Sequence, residues 1–221
     1  MEIINFFIDF ILHVDTRLGS IIAEHGAYVY PILFTIIFCE TGLVVTPFLP
    51  GDSLLFAAGS FAALGSMDLF TLMLLLTAAA ICGDNTNYWI GRKIGPGIFR
   101  SEKNILFRRD YLDKTQRYYG IHGGKTVLFA RFMPIFRTFV PFVAGVGRME
   151  YSRFLPYSVS GSILWVNGFV LAGYFFGSLP FVRQRFTLVI FGIILISMFP
   201  MLLHGFRTFR ARLRKKALEN E

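Results

Sequence analysis

Hydrophobic positions along the chain form several apolar stretches, which short polar segments separate. Within residues 3–22 the apolar side chains recur at helical spacing, while polar side chains interrupt the opposite face. We therefore predict an amphipathic helix over residues 1–26 that lies on a membrane surface. Three longer stretches have the length and composition of transmembrane helices: residues 69–91, 154–178 and 187–204.

Two further apolar stretches, residues 27–66 and 126–147, are interrupted by proline and by polar residues. The interruptions include Pro47, Pro50 and Gly51 in the first stretch and Pro134 and Pro141 in the second. Non-helical backbone is tolerated at membrane depth only where protein or water covers it. Each stretch is therefore predicted to form a re-entrant helical hairpin.

An internal repeat relates the two predicted hairpins. Aligning Glu40 with Arg131 places Pro50 on Pro141, ten residues further on in both copies. A transmembrane stretch follows each hairpin, and such a pair with opposite orientations is typical of the inverted repeats of transporters. The predicted units are repeat one at 27–91, a basic region at 92–125 and repeat two at 126–178.

Charge is distributed unevenly along the chain and predicts its orientation. Residues 1–91 contain one basic and eight acidic residues, whereas residues 92–221 contain 21 basic and six acidic ones. Because basic loops remain in the cytoplasm, the region 92–125 and the tail 205–221 are predicted to be cytoplasmic. The first hairpin then enters the membrane from outside and the second from inside.

The composition excludes a soluble fold. Hydrophobic residues make up 54% of the chain and charged residues 16%, below the value of about 25% in soluble proteins. The predicted fold class is an all-α integral membrane protein whose membrane domain covers residues 27–204. It contains an inverted repeat of a re-entrant helical hairpin plus a transmembrane helix, with an N-terminal amphipathic helix and a C-terminal transmembrane helix.

Four ionisable residues fall at the predicted membrane depth, where a charged side chain costs about 2.5–3.5 kcal/mol on insertion scales. They are Glu40 and Asp52 in the first hairpin and Arg131 and Arg137 in the second. Arginine suits bidentate binding of a phosphate. The alternative is structural, with two buried salt bridges that join the hairpins. Asp84 is a further candidate, although its place late in a span favours a solvated helix end.

Recognisable motifs for enzymatic chemistry are missing from the sequence. The four histidines are scattered without ligand spacing, so no metal site is predicted. A glycine-rich segment from Gly120 to Thr126 has one residue too few for a phosphate-binding loop. We therefore expect no enzyme activity, no cofactor and no nucleic-acid partner.

Two motifs in this sequence resemble the bacterial DedA family. They are Phe38-Cys-Glu-Thr-Gly-Leu-Val-Val-Thr-Pro-Phe-Leu-Pro-Gly-Asp52 and Arg131-Phe-Met-Pro-Ile-Phe-Arg-Thr-Phe-Val-Pro141. The resemblance covers nearly the whole chain, including Asp84, Tyr88, Arg92 and Trp165. It implies a core similar to that of VTT-domain lipid scramblases, a location in the bacterial inner membrane and a role in lipid transport.

The resemblance also implies roles for individual residues. The two acids and two arginines of the family correspond here to Glu40, Asp52, Arg131 and Arg137. The resulting hypothesis is a proton-dependent translocase of undecaprenyl phosphate, another phosphorylated lipid or a phospholipid, which supports cell-envelope homeostasis. In it the arginines bind phosphate and the acids exchange protons. The alternatives are a proton-coupled antiporter of small solutes or ions and a non-transporting envelope assembly factor. A homo-oligomer is compatible with each of them.

Overall fold

All regular elements in the described part of the chain are helices. The computed structural model describes residues 26–43, 51–98, 123–177, 179–185, 188–189 and 192. Several predictions fall outside these residues: the amphipathic helix before residue 26, the breaks at Pro47 and Pro50, most of the region 92–125, most of the span 187–204 and the tail 205–221.

The described helices form two similar series. The first contains α1 (Val29–Gly42), α2 (Gly51–Ala63) and α3 (Leu69–Ile98), and the second contains α4 (Gly124–Ala130), α5 (Pro134–Val146) and α6 (Tyr151–Phe176). A 3-10 turn, Gly26–Tyr28, precedes α1, and α7 (Pro180–Gln184) follows α6. Residues Leu69–Ile94 of α3 and Tyr151–Phe176 of α6 form two stretches of 26 residues with a mean hydropathy of 1.5, each long and apolar enough to cross a membrane. The predicted all-α class and the two helical stretches at 69–91 and 154–178 are therefore confirmed.

Asp68 caps the start of α3. Hydrogen bonds from the hydroxyl and the N–H of Thr71 lower the pKa of the Asp68 carboxyl, and the N–H bond to Oδ1 measures 2.7 Å. The N–H of Asp68 donates a 2.8 Å hydrogen bond to the hydroxyl of Tyr30. These bonds join the start of the first long helix to the start of α1.

The second predicted hairpin breaks at one of its two expected prolines, Pro134, and not at the other, Pro141. Helix α4 ends at Ala130, residues 131–133 form a turn, and Pro134 is the first residue of α5. Proline loses no hydrogen bond there, because the first N–H groups of a helix have no intrahelical acceptor. The prediction of a break at Pro141 is wrong, since α5 continues through Pro141 to Val146 and tolerates one missing backbone donor.

The two series of helices pack against each other reciprocally. Within the series, α1 contacts α3 and α4 contacts α6; between the series, α2 packs along α6 and α5 packs along α3. The backbones approach closely at both crossed contacts. A Cβ on Gly59 or Gly173 would overlap a carbonyl oxygen between α2 and α6, and one on Gly91 or Gly145 would do so between α5 and α3. Small residues permit such close packing of membrane helices.

This packing supports an internal repeat, but in a different register from the predicted one. Gly59 of α2 and Gly145 of α5 occupy the same place against the long helix of the other series. Pro141 then corresponds to Leu55 inside α2 and not to Pro50. The sequence alignment of Glu40 with Arg131 therefore does not give the structural register, because the helix interface constrains the repeat and the proline spacing does not.

Large apolar side chains lie on the outer surface of the two long helices. Phe70 of α3 is 73% exposed and Phe175 of α6 is 64% exposed. Several charged side chains, among them Glu40, Asp84 and Arg137, lie buried between the helices instead. An apolar outside around a charged inside is the arrangement expected of a helix bundle in lipid, where exposed hydrocarbon is solvated and exposed charge is not.

Candidate functional site

Among the residues that the structure describes, five charged side chains are buried together between the helices. Each is at most 7% exposed: Glu40, Asp52, Asp84, Arg131 and Arg137. They come from α1, α2, α3, the turn after α4, and α5. The structure thus brings together the four residues that the sequence placed at membrane depth, and it adds Asp84 to them.

Arg137 connects the acids of the first hairpin. One terminal nitrogen of its guanidinium pairs with Oε1 of Glu40, and the other pairs with Oδ1 of Asp52. The N–H of Gly51 donates a 3.3 Å hydrogen bond to the same Glu40 oxygen. A Cβ at Gly51 would overlap the Glu40 carboxylate, so glycine is needed for this approach. The fork of a single arginine therefore spans α1 and α2.

Arg131 and Asp84 form a separate buried ion pair. Oδ2 of Asp84 contacts Arg131 and also accepts a 2.7 Å hydrogen bond from the hydroxyl of Ser158. The interpretation of Asp84 as a solvated helix end is wrong, because Asp84 is only 1% exposed and α3 continues beyond it to Ile98. The hydrophilic sequence after residue 91 suggested an early helix end, whereas burial of this carboxylate depends on its partners in the turn after α4 and in α6.

Trp165 of α6 lies beside both arginines. Its indole N–H donates a 2.9 Å hydrogen bond to Oδ1 of Asp52. The guanidinium carbons of Arg137 and Arg131 lie 4.9 and 5.1 Å from the centre of its ring, within the range of cation–π attraction. The sequence analysis assigned this residue no role in the site. One signal in the sequence could have indicated its role. Trp165 lies in the middle of a predicted span, whereas the N–H of a tryptophan usually finds its hydrogen-bond partner at the membrane interface.

Asn87 is a second residue that the sequence analysis missed. Its Nδ2 donates to the backbone carbonyls of Thr41 at 3.2 Å and Thr138 at 2.6 Å. These carbonyls belong to the last turn of α1 and to α5, next to Glu40 and Arg137. One buried amide of α3 thus holds the backbones on both sides of the Arg137 ion pairs.

Several polar atoms of the site have no hydrogen-bond partner among the described residues. They are Nε and NH2 of Arg131, Nε of Arg137, Oε2 of Glu40 and Oδ1 of Asp84. Leaving charged groups incompletely paired in a buried site is costly. These donors and acceptors can bind a polar group that reaches the site.

The formal charges of the site do not cancel. With every group ionised, three carboxylates face two guanidinium groups, so one negative charge is in excess. The sequence analysis considered two buried salt bridges, in which the charges of two acids and two arginines cancel. Asp84 adds a third negative charge, so the net charge is not zero. This arrangement permits two kinds of chemistry. A carboxylate can take up one proton, or a substrate anion can replace a protonated carboxyl as the partner of an arginine. Within the described ranges, no group of three or more histidines, cysteines and acids is arranged to hold a metal ion.

A smaller polar cluster fixes the end of α3 near the turn between α5 and α6. The hydroxyl of Tyr88 donates to the carbonyl of Met149, and Arg92 donates to the hydroxyl of Tyr88. Tyr151 donates a 2.7 Å hydrogen bond to Asn85. Tyr88 is fully buried whereas Arg92 is partly exposed, so this cluster anchors the helix and does not extend the charged site.

Comparisons with known proteins place the chain in a family. A family model for the VTT domain matches residues 49–175. Protein DedA of Escherichia coli (strain K12) is 53% identical over 216 residues, which cover 97% of this chain and 99% of that protein. Inner membrane protein YghB of the same strain is 34% identical over 159 residues, covering 71% of this chain and 72% of YghB.

An uncharacterized membrane protein of Mycobacterium tuberculosis (strain ATCC 25618 / H37Rv) is 41% identical over 189 residues, which cover 85% of this chain and 83% of that protein. No solved structure matches the chain. The matched VTT domain contains Asp52, Asp84, Arg131, Arg137 and Trp165, so most of the buried charged site lies within it. Its length, its helices and its relatives agree: this chain is a member of the DedA family of VTT-domain proteins of the inner membrane.

Proposed function

We propose that this chain is a proton-dependent translocase of phosphorylated lipids, with undecaprenyl phosphate or another phospholipid as its substrate. The observation that carries the proposal is the Arg137 guanidinium, buried and shared between two carboxylates. A guanidinium fork matches the oxygens of a phosphate as well as those of a carboxylate. Glu40 and Asp52 therefore occupy positions that phosphate oxygens can take.

Competition for the arginines provides the coupling to protons. Protonation of Glu40 or Asp52 removes the negative charge that holds Arg137, and the freed guanidinium can bind a phosphate. Deprotonation restores the ion pair and displaces the phosphate. The excess of one carboxylate in the site favours this scheme, because one proton brings the site to neutrality before the anion arrives.

The membrane potential gives the proton a second role. Moving one negative charge inward against a potential of 100 mV costs about 2.3 kcal/mol. A proton that travels with the phosphate removes this electrical penalty. Uptake of a proton by a carboxyl and release of the lipid phosphate thus belong to one cycle.

In this proposal both helical hairpins are re-entrant. Tyr28 before α1 and Leu64 after α2 are exposed and then lie on the same face of the membrane. Single cysteines at these positions, in a chain whose Cys39 and Cys82 are replaced by serine, are expected to react with an impermeant thiol reagent from the same side. Labelling from opposite sides would show that α1 and α2 cross the membrane together and would rule out the hairpin.

Transport of lipid by the purified protein tests the function. Proteoliposomes would contain fluorescent lipids with a phosphate monoester, a phosphodiester or an uncharged headgroup, with and without an imposed pH gradient. We expect translocation of the phosphorylated lipids, acceleration by the gradient and no transport by Arg137→Ala. Gradient-independent transport of all lipids alike would contradict the proposal, since it would describe a nonselective scramblase.

A proton-coupled antiporter of small ions is the second candidate. The excess carboxylate favours it, because an acid-rich site can exchange protons for cations. Proton release from proteoliposomes on addition of a cation, in the absence of lipid movement, would select this function. A protein that moves neither lipid nor ions would support the assembly-factor alternative.

A further inference from the structure

The two buried arginines are neutralised to different extents. Arg137 pairs with two carboxylates, Glu40 and Asp52, whereas Asp84 is the one carboxylate among the described residues that pairs with Arg131. An anion has to displace two carboxylates at Arg137 but only one at Arg131. Arg131 is therefore the guanidinium at which an incoming anion meets less competition.

Arg131 also has the larger unused hydrogen-bonding capacity. Its Nε and NH2 are buried without an acceptor in the described residues, while Arg137 leaves only Nε without one. On the opposite side of the pair, Oδ1 of Asp84 is buried without a donor. A phosphate monoester brings several oxygens and, when protonated, one donor, so it can satisfy both sets of atoms.

Trp165 places the two arginines next to one shared surface. Both guanidinium carbons lie within 5.1 Å of the centre of its ring. The same ring therefore contacts the arginine of the Arg131–Asp84 pair and the arginine of the Arg137 pairs. An anion that leaves one arginine can therefore reach the other within the same buried cluster.

We propose that Arg131 and Asp84 form a second phosphate half-site, which receives the lipid phosphate before Arg137 does. Asp84 acts there as the competing carboxylate that must leave Arg131, as Glu40 and Asp52 do at Arg137. Ser158, whose hydroxyl bonds Oδ2 of Asp84, holds the displaced carboxylate close to the site. This inference rests on the proposed function, because it describes the path of the same substrate.

Substitution of Asp84 by asparagine separates this role from a structural one. Asparagine keeps the shape and can still accept the hydrogen bond of Ser158, but it no longer competes by charge for Arg131. We expect Asp84→Asn to bind a phosphate monoester about tenfold more tightly than the native chain, and to transport it more slowly because release is impaired. A purely structural partner would give no gain in affinity.

The experiment measures binding to the full chain in nanodiscs of uncharged lipid by calorimetry. The probes are short-chain phosphatidic acid, short-chain phosphatidylcholine and inorganic phosphate. Asp68→Asn is the matched control, since Asp68 is an exposed acid at the start of the same helix α3, and it should bind phosphatidic acid as the native chain does. Equal or weaker binding of phosphatidic acid by Asp84→Asn would overturn the half-site. Equal binding of inorganic phosphate would overturn the assignment to a lipid.

A second variant covers the case in which Asp84→Asn fails to fold. The double variant Asp84→Asn with Arg131→Gln removes both members of the ion pair, so neither member is left as a buried charge without its partner. We expect it to lose binding of phosphatidic acid although Arg137 is intact, and native affinity would overturn the proposal. If Asp84→Asn binds phosphatidic acid more tightly than the native chain but the native chain moves no lipid, the half-site stands and the translocase function fails. If the native chain moves lipid while Asp84→Asn gains no affinity, only the half-site fails.

Discussion

The indole N–H of Trp165 and Arg137 share one oxygen, Oδ1 of Asp52. This oxygen therefore receives a neutral donor from α6 and a cationic donor from α5, while Asp52 itself belongs to α2. The tryptophan keeps the carboxylate aimed at the guanidinium and at the same time packs its ring near the cation. Its contribution is one of position, since the indole neither carries charge nor exchanges protons.

Trp165→Phe is expected to impair transport without unfolding the protein. Phenylalanine keeps an aromatic ring beside both arginines but removes the donor to Asp52, a bond to an ionised group worth about 1.5–3 kcal/mol. We expect a lower thermal stability and a weaker response of lipid transport to the pH gradient. Trp89→Phe, at the partly exposed second tryptophan, should change neither quantity. A native pH response in Trp165→Phe would exclude a role of this bond in coupling.

Arg137→Lys is expected to lose transport almost as completely as Arg137→Ala. The two terminal nitrogens of Arg137 contact two different carboxylates, and a single ammonium cannot reproduce that fork. Lipid translocation in proteoliposomes measures the effect, with Arg153→Lys at an exposed arginine as the control. Full transport by Arg137→Lys together with none by Arg137→Ala would show that charge alone matters.

Glu40→Gln and Asp52→Asn are expected to accumulate in the membrane at near-native levels but to lose transport that responds to the proton gradient. The amide oxygen can still accept from Arg137, and in Glu40→Gln also from the N–H of Gly51, while the exchangeable proton is gone. Removal of a purely structural partner would instead cost about 3–5 kcal/mol and reduce the amount of folded protein.

Expression, thermal stability and gradient-driven transport of these two variants are compared with those of Glu150→Gln. The side chain of Glu150 is 72% exposed, so its amide variant reports the effect of losing one acid outside the site. Gradient-driven transport at the native rate in both buried variants would rule out proton coupling through these acids.

Two glycines of α6 are expected to respond in opposite ways to alanine. A Cβ at Gly173 would overlap the carbonyl of Phe56 on α2, whereas a Cβ at Gly168 meets no atom within 4 Å. Gly173→Ala should therefore lower the thermal stability and weaken transport. Gly168→Ala should be neutral or stabilising by up to about 1 kcal/mol, because alanine has the better helix propensity. Equal stability of the two variants would contradict the close packing of α2 on α6.

The sequence predicted the class of the protein and four members of its site because those signals are local. Long apolar stretches indicate spans, and ionisable residues within apolar stretches stand out one by one. The partners of these residues could not be predicted in the same way. In the sequence Asp84 resembles a residue at a helix end, because its contacts with Arg131 and Ser158 form only in the folded structure. Trp165 likewise cannot be told apart from the other apolar residues of its span. The break of the second hairpin depends on whether α5 tolerates Pro141, which packing decides.

The crossed packing of the helices also divides them into two bodies, which remain in contact where α3 packs on α6. Helices α2 and α4 both pack on α6, and helices α1 and α5 both pack on α3, so each body combines pieces of both repeats. Two ion pairs cross the boundary between these bodies: Arg137 with Asp52, and Arg131 with Asp84. Breaking both ion pairs would remove these charged links between the two bodies. In the proposed function, a substrate that takes over the two arginines would thereby remove these charged links and leave the two bodies joined by the packing of α3 on α6.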